Sequence, residues 1–245
     1  MNFSIVSFIA ILCGCIFFFS DTFIRFLDGG YLSQYFNFVK GITFDILGKR
    51  FPREVRIAAW HAMCNFMISS KNVTLKHRDT FGECLTRCPD DEIRASLITY
   101  WGDILMRFPN QIEYLSFKIF HFLREESRLL KATALKTLSM IILADMLKPT
   151  GEIVQMAKLI VDPDNEIQNL TRLFFFQVAN KDNQNIYNYL TDVISSHAGS
   201  ESSMSEEDFQ EMVKFLFDLL EKSKSTESLV KKLAERFLVT KYVFL

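Results

Sequence analysis

Two thiols, two pairs of adjacent carboxylates and two clusters of cations are the side chains here whose types and spacing invite chemistry. Cys84 and Cys88 are four residues apart, on one face of a helix, with His77 nearby. A zinc site needs about four ligands at defined spacing. His121 and His197 stand alone and no second Cys/His pair follows, so two buried thiols are the ordinary reading. Asp90-Asp91 and Glu125-Glu126 resemble acid–base pairs, but each falls at a turn between helices, where acids cap N-termini. The sequence contains no GxGxxG or Walker phosphate loop, no GxSxG and no HExxH. No catalytic, cofactor-binding or metal-ligating set is expected.

The cations form two clusters, Lys49-Arg50-x-x-Arg53-x-x-Arg56 and Lys76-His77-Arg78. A basic stripe gives sequence-independent affinity for DNA phosphates. A charge run is more often a solvated face, and both readings stand at this level. Lys49, Arg50, Arg53, Lys76 and Arg78 are the candidate DNA contacts. Four or five such cations predict a log–log salt slope of about −4, at about −0.9 per phosphate neutralised. Arg56 belongs with Arg94 and Lys131, because each follows an aliphatic residue at the start of a helical pattern. In stacked repeats each could pair with an acid of the neighbouring unit, which makes these three the candidate structural ladder.

The elements that must position these residues are repeated. Pro89-Asp90-Asp91-Glu92-Ile93-Arg94 and Pro163-Asp164-Asn165-Glu166-Ile167-Gln168 are two versions of one string, and Val55-Arg56 and Leu130-Lys131 occupy the same register. The aliphatic positions 55, 93, 130 and 167 are spaced by 38, 37 and 37 residues. Ile93, Leu97, Ile98, Trp101, Ile104 and Leu105 form an apolar stripe of helical period, as do Leu130, Ala134, Leu135, Leu138, Ile141 and Ile142. Amphipathic stretches at 81–85, 112–123 and 153–160 precede three of the pairs. The unit is helix, turn, helix, close to the length of a HEAT repeat. Two short helices cannot bury their own apolar faces, but stacked pairs can. The fold class expected is all-α, an α-solenoid of HEAT-type antiparallel helix pairs. Its array spans 41–197, a polar linker 198–205 and a C-terminal helical pair 206–245. Ser205 precedes Glu206, Glu207 and Asp208 and reads as a helix cap.

Whole-chain numbers agree. Apolar residues make up 49% and charged residues 23%, a composition that buries a core. Nine Gly and five Pro are too few for a turn-rich all-β protein. The net charge of −1 makes any nucleic-acid surface local. Residues 40–80 carry eight Lys and Arg against three acids, whereas 199–223 carry seven acids against two Lys. Five cysteines, Cys13 and Cys15 among them in an apolar run, make a poor disulfide framework and favour a reducing compartment. Residues 2–19 carry no charge and admit three readings: a membrane anchor or uncleaved signal, a buried helix, or a segment foreign to the rest, such as a misplaced translation start.

Several strings resemble one family. Gly102, Asp103, Arg107, Phe108, Pro109 and Asn110 end a repeat helix with the G-D-x-x-x-R-F-P-N pattern of the condensin complex subunit 1 family. The stretches 131–151 and 161–196 are similar to it, in particular Lys181-Asp182-Asn183, Ile186-Tyr187-Asn188 and Asp192-Val193-Ile194-Ser195. So is 206–237, with its acidic start and the T-E-S-L-V-x-K-L helix. The likeness runs from about Ala58 to Phe237 and favours the condensin I type. Leu130 stands where the family usually has Arg. The family's chains are several times longer, so this sequence reads as a truncated or short divergent member. The resemblance implies a non-enzymatic regulatory subunit of the nucleus and chromosome, without cofactors. It implies kleisin and SMC subunits and DNA as partners, with ATP hydrolysis in the SMC chains. A helical-repeat adaptor tethered to a membrane through residues 2–19 is the alternative.

Overall fold

A computed structural model of the chain describes residues 33–47, 50–149, 151–181, 183–198 and 204–220, together with Val230, Lys231 and Ala234. Residues 2–19, Lys49, most of the linker and most of the last predicted helix lie outside the described residues. Among the described residues all regular structure is helical. The helices are α1 (Ser33–Thr43), α2 (Arg53–Ser69), α3 (Lys71–Arg87), α4 (Asp91–Arg107), α5 (Pro109–Ile112), α6 (Ser116–His121), α7 (Arg128–Leu143), α8 (Ile153–Ala157), α9 (Asn165–Lys181), α10 (Asn183–Ala198) and α11 (Glu206–Asp218). The fold is an α-solenoid of helix pairs, as the periodicity predicts.

The helices α2, α4, α7 and α9 start at 53, 91, 128 and 165, each two residues before the repeating aliphatic position. Local chemistry sets these starts. The Asp90 carboxylate accepts from the N–H groups of Glu92 (3.0 Å) and Ile93 (3.3 Å), and Asp164 does the same for Glu166 (2.8 Å) and Ile167 (3.4 Å). Asp91 and Glu92 then complement the positive end of α4. Ser205 accepts from the Asp208 N–H at 3.1 Å and so caps α11.

The stretch 109–124 departs from the continuous amphipathic helix that the sequence suggests over 112–123. It breaks into α5, a 3-10 turn at Glu113–Leu115, α6 and a second 3-10 turn at Phe122–Arg124. Pro109 ends the preceding helix and starts α5. The chain then turns at Ile112 (φ −133°), whose carbonyl accepts a hydrogen bond from the buried Trp101 indole at 3.2 Å.

The chain divides into two compact units, Met1–Ile141 and Ile142–Leu245, with a boundary inside the stretch 41–197. In the first unit α2 packs on α1, α3 and α4. Phe66, Phe81, Ile93, Leu97 and Trp101 are fully enclosed there. In the second, α8 and α9 pack on α10, and α10 also carries α11. Phe174, Phe175, Ile160 and Leu190 form that core.

Candidate nucleic-acid interface and inter-repeat ladder

Among the described residues, two of the five candidate DNA contacts, Arg53 and Arg78, are engaged by neighbouring groups. Lys49 lies outside the described residues. Arg50 has an exposed side chain, and its backbone N–H donates to Asp45 at 2.8 Å. Lys76 is exposed on α3. Arg53 is engaged across the repeat: its Nε donates to Asp90 at 2.6 Å, and its Nη2 pairs with Glu92. Arg78 donates to the Ile112-side carbonyl of Gln111 at 3.3 Å and stacks over the Tyr114 ring, while the Tyr114 hydroxyl donates to Asp79 at 3.1 Å. Arg53 and Arg78 thus hold neighbouring repeats together.

Of the three candidate ladder residues, Arg94 donates to Glu125 at 3.1 Å and to Asp91 at 3.3 Å, and lies over the Phe122 ring. Lys131 sits half-buried in the first turn of α7, after the fully buried Leu130. Arg56 is buried on α2 and its Nε has no hydrogen-bond partner. In the second unit two further cations make contacts of this kind that sequence reading passed over. Arg172 on α9 donates to Glu211 on α11 at 2.6 Å. Lys181 donates to the Leu143 carbonyl at 2.6 Å and pairs with Asp145, which satisfies the end of α7. A cavity of about 780 Å³ opens beside that pair, lined by Leu147, Lys181, Asn185, Asn188 and Asp192.

Asp90 is the hub of the first ladder step. Burial disfavours its charged form, but the Arg53 guanidinium and the N–H groups of Ile93 and Glu92 outweigh burial and hold the carboxyl below the usual range. A depressed folded pKa contributes stability that is present above the unfolded value of about 3.9 and lost as pH falls through the folded value. Asp90→Asn keeps a good cap and removes only the charge. It is therefore expected to lower the melting temperature at pH 7 by less than Asp90→Ala, which also loses a cap worth about 1 kcal/mol. The gap between parent and Asp90→Asn should shrink as pH falls below about 4. A gap that stays constant from pH 7 to pH 3 would show that the ion pair contributes nothing.

Among the described residues no group of three or more His, Cys, Asp or Glu is placed to hold a metal ion, and no helix is long and apolar enough to cross a membrane.

Residues 92–242 match the family model described as non-SMC mitotic condensation complex subunit 1. The chain is 35% identical to condensin complex subunit 1 of Xenopus laevis over 176 residues, 72% of this chain. It is 36% identical to the Homo sapiens protein over 153 residues, and 32% identical to condensin-1 complex subunit CAP-D2 of Arabidopsis thaliana over 184 residues. The aligned part spans only 13% of the Xenopus and Arabidopsis relatives. Among solved structures, a designed armadillo repeat protein superposes with a TM-score of 0.52 at 15% identity, covering 89% of this chain and 93% of that one. That likeness concerns the fold alone.

Proposed function

The chain belongs to the condensin complex subunit 1 family, and we propose that it acts as a helical-repeat scaffold of a condensin complex at chromosomes. In this reading it holds kleisin and SMC chains, touches DNA weakly and without sequence preference, and catalyses nothing itself. ATP hydrolysis belongs to the SMC partners. The observation that carries the reading is the family match over 92–242, most of the described array. The Asn185, Asn188 and Asp192 face of α10, which lines the cavity of the second unit, is a place for a partner segment to lie.

With Arg53 and Arg78 engaged within the fold, the proposed DNA contacts are Lys49, Arg50 and Lys76. Three phosphates neutralised give a salt slope of about −3 on duplex DNA rather than about −4. Arg50→Glu with Lys76→Glu should weaken binding at low salt and flatten that slope, with little change in melting temperature, because exposed charges contribute little to folding. Arg53→Glu and Arg94→Glu should instead lower the melting temperature. Fluorescence anisotropy against salt and thermal melts separate the two sets. Binding untouched by the first pair and abolished only by the second would reverse the assignment. ATP hydrolysis by the isolated chain, lost on a point change in it, would overturn the scaffold reading.

A further inference from the structure

Arg56 and Arg94 are the fourth residues of α2 and α4, so they hold the same place in successive repeats. Arg94 is well supplied with acceptors. Asp91, the first residue of its own helix, and Glu125, three residues before α7 begins, both pair with it. Its Nε donates to the Leu85 carbonyl at 3.3 Å. Neither acid has a counterpart one repeat earlier. The first residue of α2 is Arg53, and three residues before α4 begins stands Cys88. Cysteine is shorter than glutamate and brings no carboxylate. Arg56 is nevertheless only 8% exposed, its Nε has no hydrogen-bond partner, and no carboxylate among the described residues pairs with it. A buried guanidinium without an anion is costly.

The same end of α2 also lacks a cap. Ser70, Asp90, Asp164 and Ser205 accept backbone N–H groups at the starts of α3, α4, α9 and α11, whereas the N-cap of α2 is Pro52, whose side chain accepts none. The first-turn N–H groups and the positive end of this helix are left without a side-chain acceptor from the cap. A long side chain near the start of a helix lies back over the preceding turn, which carries the Arg56 guanidinium toward those N–H groups. Acids are close but occupied. Arg53 holds both Asp90 and Glu92, and Asp45 accepts from the N–H groups of Arg50 and Phe51. We propose that the start of α2 binds a small oxyanion of the phosphate class, held by the Arg56 guanidinium and the N–H groups of Glu54 and Val55. The anion does for Arg56 what the Glu125 carboxylate does for Arg94, and completes the step between α2 and α4. So buried an arginine is open to a small ion and closed to a duplex backbone, which sets this site apart from the exposed Arg50 and Lys76.

The test compares the whole chain in sodium phosphate and in sodium chloride of equal ionic strength at pH 7. Isothermal titration with inorganic phosphate should reveal a single saturable site per chain. At about ten times its Kd, phosphate should raise the melting midpoint by about 3–6 °C. Arg56→Met should lose both the titration signal and the shift. In chloride it should melt at or above the parent, because an unpaired buried charge has gone. Cys88→Glu supplies the missing carboxylate from the chain itself. Its midpoint in chloride should rise toward that of the parent in phosphate, and phosphate should no longer move it. Circular dichroism shows whether each variant is folded, and Arg56→Gln replaces Arg56→Met if the methionine variant is not. A parent without a saturable phosphate site, or a phosphate shift of equal size in the parent and in a folded variant uncharged at position 56, would overturn the proposal.

Discussion

Replacing Trp101 with alanine is expected to destabilise the first unit by about 3–5 kcal/mol. Trp101 is the largest of the fully enclosed side chains, with no exposed surface, and it sits in the second half of α4. Two effects add. The indole removes about 200 Å² of largely apolar surface from water, and the helices around it cannot fully collapse into the space it would leave. Its Nε1 also donates to the Ile112 carbonyl at 3.2 Å. That carbonyl is left without its indole donor in a buried setting, and an orphaned buried group costs about 1–3 kcal/mol. The contact fixes the turn between α5 and the following 3-10 segment, so the loss should loosen 109–124 as well as the core. Repeat arrays need not unfold in one step, so the melting midpoint is the safer readout. A drop of about 10 °C is expected at about 2–4 °C per kcal/mol. Trp101→Phe, which keeps most of the area and loses the donor, should fall between parent and alanine. An alanine variant that melts within about 2 °C of the parent would mean that Trp101 locks nothing.

The same residues show what could be read from the sequence. The register of positions 55, 93, 130 and 167 located four helices because an apolar stripe repeats wherever stacked units share one core. Asp90 and Asp164 marked their starts because capping depends on residues only two or three apart in sequence. The pairing of Arg94 with Glu125 follows from stacking too. Arg53 shows what reading by local clusters leaves out. It stays exposed beside Arg50 in sequence, and it also pairs with Asp90, 37 residues ahead and one repeat away. The contacts His61–Ser96, Asp79–Tyr114 and Gly82–Lys118 have separations of 35, 35 and 36 residues. A search for acids one period after each cation would have found the Arg53 pair. It would not have found the burial of Arg56. Nor would it have found the break at Ile112, which depends on an indole eleven residues earlier.

Gly102→Ala should destabilise the first unit although helix propensity alone predicts the opposite. A glycine inside a helix costs about 0.5–1 kcal/mol relative to alanine, so at an open position the change helps. Gly102 is not open. A Cβ there would lie 2.7 Å from Thr137 Cγ2, 3.6 Å from Met140 Cε and 3.8 Å from Ile141 Cδ1. Thr137 is buried on α7 and β-branched, so its methyl has few other rotamers to take up. Either α4 and α7 move apart or the threonine turns its hydroxyl inward, and overpacking of this kind costs about 1–3 kcal/mol. The net effect of Gly102→Ala is a loss of about 1–2 kcal/mol, and Gly102→Val, with two more methyl groups, should lose more. Gly82 would meet flexible side-chain ends, Leu115 Cδ2 at 3.0 Å and Lys118 Nζ at 3.7 Å, and Gly41 meets nothing within 4 Å. Gly41→Ala should accordingly be neutral or mildly stabilising, which separates the steric effect from the propensity effect in one protein. The double variant Gly102→Ala with Thr137→Ala removes the clashing methyl. It should recover stability relative to the sum of the single changes, with a coupling of about 1–2 kcal/mol. Additive single effects would place the cause in the backbone of α4 and not in its approach to α7. A stabilised Gly102→Ala would show that the two helices are free to separate by the few tenths of an ångström that a methyl group demands.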